Sequence, residues 1–367
     1  MWLAAVLLVA GGLALEREER LASISDIRIE KVEVPLRRSF ATSRDRLARD
    51  VSRIVRVTVL ARDGSQGVGE CVAVQYVTGE SQDTAHAALL RAAPALIGME
   101  CLRPRDVLAC AERELAGTPS AFAGLEMALF DAFCAATGIS WWSFFGGAAT
   151  EAATDVTLPM VPDARERAIE HAAEGYRCFK VKVGRADPAE DLSLLADIAR
   201  ALPHATFRLD ANQAFTPDSA LRFVEEALRL GVPIDYLEQP VDRADLRALD
   251  YVAARSSVPV FADEAVLSPA DALRVVEQTR VHGLNVKLMK AGVRGTLDIA
   301  AIARAADRDL MIGCMLESCR GIGFALAVAT GCGAFSHYDL DSHLLLREDG
   351  GNPFFEQDGP TLRITRK

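Results

Sequence analysis

FKVKVG, residues 179–184, sets two lysines into an apolar run and is the first of five such runs whose spacing decides the fold. FRLDAN (207–212), DYLEQP (235–240), VFADEA (260–265) and LNVKLMKAG (284–292) share its form, a short apolar run with a charge at its C-terminal end. The charges are Lys182, Asp210, Glu238, Asp263 and Lys287, at intervals of 28, 28, 25 and 24 residues. That is about the length of one strand–loop–helix–loop unit. A charge at the end of a buried strand costs stability, so its repetition asks for a task. In a barrel of parallel strands all these ends converge on one face, where catalytic residues sit.

The pattern around these runs is regular. From Asp155 onward, candidate strands fall at 156–159, 179–183, 207–210, 236–238, 260–262, 283–287, 309–315 and 338–340. Amphipathic helices fill most gaps, at 164–174, 188–201, 217–230, 244–254, 269–279 and 295–306. Pro188, Pro217 and Pro269 stand at helix starts, where proline is tolerated. Eight strands predict a modified (β/α)8 barrel of the (β/α)7β kind, with its final helix altered or missing. A doubly wound open sheet is the rival; it wants a glycine-rich phosphate turn after the first strand, and none is present. Before the barrel, strands at 27–36, 51–60 and 67–74 are followed by helices at 81–97, 105–116 and 120–138, an N-terminal α+β unit.

The expected division is an apolar extension over 1–26, an α+β capping domain over 27–150, the barrel over 151–345, and a segment over 346–367 that packs back on the cap. The run MWLAAVLLVAGGLAL (1–15) is too short to span a membrane, lacks a basic leader and ends in a poor cleavage site. It is read as an extension outside the fold of a cytoplasmic protein, with export as the alternative if it acts as a signal. Half of the 367 residues are hydrophobic, enough for a sizeable core. With 41 basic and 51 acidic residues the net charge is −10, which argues against a nucleic-acid partner. The eight cysteines and six histidines show no metal-ligand spacing. They read as reduced, mostly buried thiols and isolated imidazoles.

Asp210, Glu238 and Asp263 end three consecutive strands. Adjacent strands lie about 5 Å apart, so the three carboxylates can share one ion. Oxygen ligands alone suit a hard divalent cation, Mg²⁺ with Mn²⁺ as substitute. Lys180 and Lys182 are two apart and point the same way, into the barrel. Lys182 ends the second strand and Lys287 the sixth, so in a ring of eight they face each other across the ion. Lys290, beyond the strand, ranks below Lys287. Two opposed bases at a metal centre suit moving a proton on and off a carbon next to a carboxylate. Positive charge from the ion and Lys180 is expected to lower the lysine pKa values toward working pH.

KVK, LDAN, LEQP, ADEA and NVKLMKAG, in this order and spacing, resemble the enolase superfamily, muconate-lactonizing subgroup, over nearly the whole chain from Ile27. The resemblance implies a capped barrel with Asp210, Glu238 and Asp263 as Mg²⁺ ligands and Lys182 and Lys287 as the acid/base pair. Asn212, Glu264 and Glu317 are then expected behind the ligands, and Lys180 and Ser318 against substrate.

Asp339 and Asp341, in YDLDSH at the eighth strand, lie on one face and form a second carboxylate pair. At the barrel mouth such a pair suits capture of an ammonium. The same Asp-x-Asp resembles that of dipeptide epimerases in the subgroup, where it holds the substrate's N-terminal amine. The cap loop RRSFATSRDRLARD (37–50) offers Arg44 and Arg46, nearly tied, with Arg49 further on. If one points inward, the resemblance implies Ala-Glu-like dipeptides. The expected activity is Mg²⁺-dependent epimerization at the α-carbon of the C-terminal residue of a dipeptide, in a homo-oligomer. Muconate-type cycloisomerase, N-acylamino acid racemase and o-succinylbenzoate synthase are the alternatives on the same scaffold.

Overall fold

The structure is a computed structural model that describes residues 22–44, 48–347 and 352–365; the apolar run at 1–15 and Arg46 lie outside them. Strands β1 (Ile24–Phe40), β2 (Arg49–Ala61) and β3 (Gln66–Cys71) form an antiparallel sheet in that order. On β2, Val55, Val57 and Val59 alternate into the core, as a half-buried strand requires. Helix Pro119–Thr137 lies across β3 at backbone distance. A Cβ at Gly67 would sit 2.1 Å from Ala128 O, and one at Gly69 would sit 2.0 Å from Gly124 O. This helix is long and apolar enough to cross a membrane, but its residues are mostly buried inside the protein. β3 stops at Cys71, three residues short of the expected end, and a single helical turn follows at Gln75–Thr78.

β4 (Glu151–Ala153) leads into eight parallel strands: β5 (Val156–Leu158), β6 (Cys178–Lys182), β7 (Thr206–Asp210), β8 (Ile234–Glu238), β9 (Val260–Ala262), β10 (Gly283–Val286), β11 (Asp309–Ile312) and β12 (His337–Tyr338). Each pairs with the next in sequence order. Asp155 N donates to Tyr338 O at 3.2 Å, bringing the ends of the sheet together. Residues of one parity face the surrounding helices and those of the other fill the interior. Low in the barrel, Arg208 lies over the Tyr236 ring, and Tyr236 stacks on Phe261 with centroids 4.3 Å apart. That plug closes the lower barrel, so the charged strand ends form the floor of a pocket at the upper face.

One helix was not expected. Helix Cys319–Cys332 follows β11 but has no polar face; Ile322 and residues 324–329 are all buried, which erases the amphipathic period. After β12 the final helix is altered, as expected, to a 3₁₀ turn, Ser342–Leu345. The chain then packs back on the cap, where Arg347 N donates to Pro35 O at 2.9 Å, and forms a hairpin, β13 (Phe355–Asp358) and β14 (Thr361–Ile364), that pairs with β4. Phe354, just before it, stacks on Trp141 with centroids 5.6 Å apart.

Buried polar contacts order the cap helix and fasten it to the barrel. Glu80 accepts from Ser120 N (2.8 Å) and Ala121 N (3.1 Å), satisfying the first N–H groups of helix Pro119–Thr137. Further along that helix, Glu126 is fully buried and accepts from Val293 N at 2.5 Å and Arg294 Nε at 3.1 Å. Burial, only partly offset by these donors, pushes the Glu126 carboxyl up to about 7. Its folded pKa lies above its ordinary value of 4.5, so the fold favours the protonated form. Wild type should therefore lose stability relative to Glu126→Gln as pH rises from 4.5 to about 7, by up to about 3 kcal/mol. Urea melts of both proteins across that range measure it, and parallel pH profiles would refute it.

Candidate active site

Asp210 ends β7, Glu238 ends β8, and Asp263 follows β9 by one residue. Carboxylate oxygens from the three lie within 4.8 Å of one another, and all three side chains are buried. Lys182 Nζ donates to Asp210 Oδ2 at 2.6 Å, and Lys287 Nζ to Asp263 Oδ2 at 2.8 Å. The two lysines thus approach the acids from strand ends four positions apart in the ring. Lys290 is a tether: its Nζ donates to Asp263 Oδ1 (2.6 Å), Asp263 O (2.8 Å) and Asn285 O (2.8 Å).

The electrostatics follow from this packing. Burial opposes ionisation of Asp210, but Lys182 and Lys180 outweigh it and hold the carboxyl down at about 2. Burial likewise opposes Asp263, and Lys287 and Lys290 hold it far below the usual carboxylate range. Burial and the Asp210 charge push Glu238 up to about 7. The expectation that Lys180 lowers the lysine pKa values is met, since its charge lowers both Lys182 and Lys287. Burial does lower Lys182 and Lys287, but Asp210 and Asp263, in direct contact, raise both above the ordinary lysine range. The carboxylates keep the lysines charged. Glu238 Oε2 lies 2.8 Å from Lys180 Nζ but, among the described residues, accepts no hydrogen bond. A buried carboxylate oxygen without a donor, beside two other carboxylates, fits a hard divalent cation.

The placing of Lys180 is corrected. It lies beneath the pocket, 1% exposed, rather than on its wall. Its Nζ sits 3.2 Å from Asp210, 2.8 Å from Glu238 and 2.7 Å from Asp339, so one ammonium bridges both acid groups. Against burial, which raises it, Lys180 lowers the Asp339 pKa. Burial and the Asp339 charge push Asp341 up to about 6, while its Oδ2 accepts from Thr157 N at 2.5 Å. Both aspartates line the pocket, beside Cys314.

The cap supplies Phe40, Thr42, Arg49, Tyr76 and Val77 to the wall. Arg44 is not among them; it turns aside, with Nε donating to Asn212 O at 2.8 Å. Arg46, the other expected arginine, lies outside the described residues, and Arg49, at the start of β2, lines the pocket with its guanidinium 5.7 Å from the Tyr76 ring centroid. Ser318 is likewise displaced. Its hydroxyl accepts from Arg320 N at 3.1 Å as the N-cap of helix Cys319–Cys332, and it contacts Glu70. Glu317 accepts from Met315 N at 3.0 Å and braces the wall loop from behind. Glu264 accepts from Asn212 Nδ2 at 3.2 Å, and both line the pocket beside the acids.

Two site residues escaped the sequence reading. Asn285 donates from Nδ2 to Glu238 Oε1 at 2.7 Å; standing two before Lys287, it shares that inward face, and the period of two could have found it. Gln239 Oε1 accepts from Asp263 N and Ala265 N, each at 3.0 Å. Its backbone is left-handed (φ 35°), as are Asn212 (φ 43°) and Gln213 (φ 69°). Such strain gathers at functional loops and gave no signal in the sequence.

Comparison with known proteins is consistent across the whole fold. Residues 24–146 match the mandelate racemase/muconate lactonizing enzyme N-terminal domain, and residues 163–364 match the enolase C-terminal domain-like family. The chain is 36% identical over 340 residues to an L-Ala-D/L-amino acid epimerase of Populus trichocarpa, covering 90% of this chain and 80% of that protein. It superposes on a substrate-liganded L-Ala-D/L-Glu epimerase of Bacillus subtilis with a TM-score of 0.89 at 30% identity, covering 94% and 96% of the two chains. A dipeptide epimerase of Methylococcus capsulatus, complexed with Mg and L-Arg-D-Lys, gives 0.85 at 31% identity, covering 94% and 97%.

The ion site has a readout that needs no substrate. Mg²⁺ or Mn²⁺ should stabilise wild type by about 2.7 kcal/mol at 100 times the dissociation constant and so raise its melting temperature. Glu238→Gln, which keeps the acceptor for Asn285 but removes the charge, should lose most of that gain. Scanning calorimetry with and without ion checks it, and an equal gain in the variant would place the ion elsewhere.

Proposed function

The chain belongs to the mandelate racemase/muconate lactonizing enzyme family of the enolase superfamily, and from that membership we propose that it is a Mg²⁺-dependent dipeptide epimerase. The observation that carries this reading is that Lys182, Lys287, Asp263, Asp339 and Asp341 line one pocket, with Asp210 and Glu238 buried beneath it beside Asp263 and Lys180 bridging the two acid groups. The relatives named as dipeptide epimerases support it. The cycloisomerase and acylamino acid alternatives offer Asp339 and Asp341 no ammonium to hold.

The α-carbon of the C-terminal residue is placed between Lys182 and Lys287. One lysine, neutral, takes the α-proton; the C–H electron pair moves into the adjacent carboxylate to give an enediolate. The other lysine, as ammonium, delivers a proton to the opposite face, and the centre inverts. A hard divalent ion on Asp210, Glu238 and Asp263 supplies, when bound, the charge that stabilises the enediolate and offsets the acids that keep the lysines protonated. Asp339 and Asp341 hold the N-terminal ammonium, and Lys180 holds Asp339 ionised for that purpose. The cap residues Phe40, Thr42, Arg49 and Tyr76 read the side chains. Arg49 favours an anionic one, so Ala-Glu-like dipeptides are the expected substrates.

Proton NMR in D₂O with a dipeptide panel and Mg²⁺ tests this. Solvent deuterium should enter the α-position of the C-terminal residue together with epimerization. Asp339→Asn should lower kcat/KM by roughly a hundredfold, as expected for losing one partner of a buried charge pair. Arg49→Ala should raise KM for acidic dipeptides more than for neutral ones. No exchange with any dipeptide in the ion-loaded protein would end the proposal.

A further inference from the structure

The two lysines are held by different parts of the molecule. The turn after Lys182 is fixed from within the barrel, where Asp191 Oδ2 accepts from Gly184 N at 2.7 Å and from Arg185 N at 2.9 Å. The turn after Lys287 is held partly by the cap. Lys287 opens one helical turn, closed by Lys290 N donating to Lys287 O at 2.9 Å. The turn breaks at Gly292, whose φ of 71° kinks the helical span Leu288–Ala305. A second helical stretch then begins at Val293, and its first N–H groups have no partner within the helix. Glu126 of the cap helix supplies it, accepting from Val293 N at 2.5 Å and, with the other oxygen, from Arg294 N at 3.3 Å.

This is a helix cap made from another domain. Gly292 suits it on two counts. Its left-handed φ favours glycine, and a Cβ there would sit 2.4 Å from Glu126 Oε2. Six residues before Glu126, on the same cap helix, Ser120 Oγ donates to Met289 O at 3.1 Å. The short segment between Lys287 and Gly292 is thus pinned from the cap by Ser120 and Glu126, and from the barrel by Lys290 on Asp263 and Asn285. Around Glu126, Arg294 completes the charge balance: its Nε donates to Oε1 at 3.1 Å, its guanidinium lies 5.8 Å from the Phe122 ring, and its Nη2 reaches Glu112 at 3.4 Å.

We propose that Glu126 is a positioning residue for Lys287, through which the cap sets the proton transfer on one face of the substrate. The inference rests on the two-base reading above. Glu126 is not on the pocket wall, so its effect must pass through the Met289–Val293 segment. Misplacing a catalytic group by about an ångström can cost up to roughly 100-fold in rate. The cost should therefore fall on the epimer whose α-proton Lys287 removes. Lys182, followed by a turn that Asp191 holds, should be spared.

The test is α-proton exchange in D₂O, followed separately from each pure epimer with Mg²⁺ present. Lys287→Ala and Lys182→Ala first assign each face, since the remaining lysine still exchanges its own proton and returns a deuteron to the same side. Glu126→Ala should then slow exchange of the Lys287 epimer by about tenfold or more relative to the other. Glu126→Gln, which keeps one acceptor, should recover part of the rate. Ser120→Ala, a milder change to the same segment, should shift the ratio in the same direction and serves if Glu126→Ala does not fold. Equal slowing of both epimers in folded Glu126→Gln and Ser120→Ala, or no slowing of either, would reduce Glu126 to a structural contact and overturn the proposal. If the two lysine variants fail to separate the epimers, the two-base reading itself falls and takes this inference with it.

Discussion

Lys180 makes the site possible. Its ammonium, with almost no exposure, touches Asp210, Glu238 and Asp339 at once. Carboxylates cannot be buried together in the ionised state without matched cations, because desolvation and mutual repulsion both favour protonation. Where burial and a neighbouring acid outweigh the nearest lysine, the effect is visible: Glu238 is pushed up to about 7, and so is Glu264. Where lysines sit against the acid, as at Asp210 and Asp263, ionisation is held firmly. The remaining deficit of positive charge at Glu238 is what a divalent ion would fill. The same arithmetic explains why the lysine pKa values are raised rather than lowered. In this protein the acids set the state of the bases, and an ion that takes up the acids releases them.

The barrel and the cap divide the work unequally. The barrel carries every ionisable group proposed to act on the α-carbon, on strand ends whose register is fixed by parallel pairing, such as Lys182 opposite Asp210 and Asp210 opposite Glu238. The cap brings a wall of Phe40, Thr42, Arg49, Tyr76 and Val77, carried on the end of β1, the start of β2, the loop between them and the helical turn Gln75–Thr78, which can change without disturbing the barrel. Yet the cap is not a loose lid. Glu80 organises the helix that presses on β3, and Ser120 and Glu126 of that helix reach the segment after Lys287. The domain that reads the side chains therefore also helps place a base, through helix Pro119–Thr137.

The barrel residues were legible in the sequence because a strand end has only one direction to point. Lys182, Asp210, Glu238, Asp263, Lys287, Asp339 and Asp341 are each at or next to the end of an apolar run, and period-two alternation assigns their face. Lys180 shows the limit of that rule: parity gave its direction inward but not its depth, and depth separates a buried bridge from a pocket wall. Arg44 and Arg49 show another limit. Both lie in or beside an irregular loop, where spacing carries no orientation, and the tertiary contact of Arg44 with Asn212 O decides against it. Helix Cys319–Cys332 was hidden by its own burial, and the β13–β14 hairpin by pairing with β4, about two hundred residues away in sequence. The kink at Gly292 has a sequence correlate, a glycine in KLMKAG, but its partner Glu126 lies in another domain.

The central claim is that two amines reach one carbon from opposite sides. It predicts where solvent hydrogen first appears. Conversion of a single dipeptide epimer in D₂O, stopped at a few per cent and analysed by mass spectrometry, compares label in product and in recovered starting material. With two bases, product should be almost fully deuterated at the α-carbon while unreacted epimer carries little label, and the same should hold from the other epimer. Product that retains the original α-proton would mean that one base serves both faces, and the account given for Lys182 and Lys287 would be wrong.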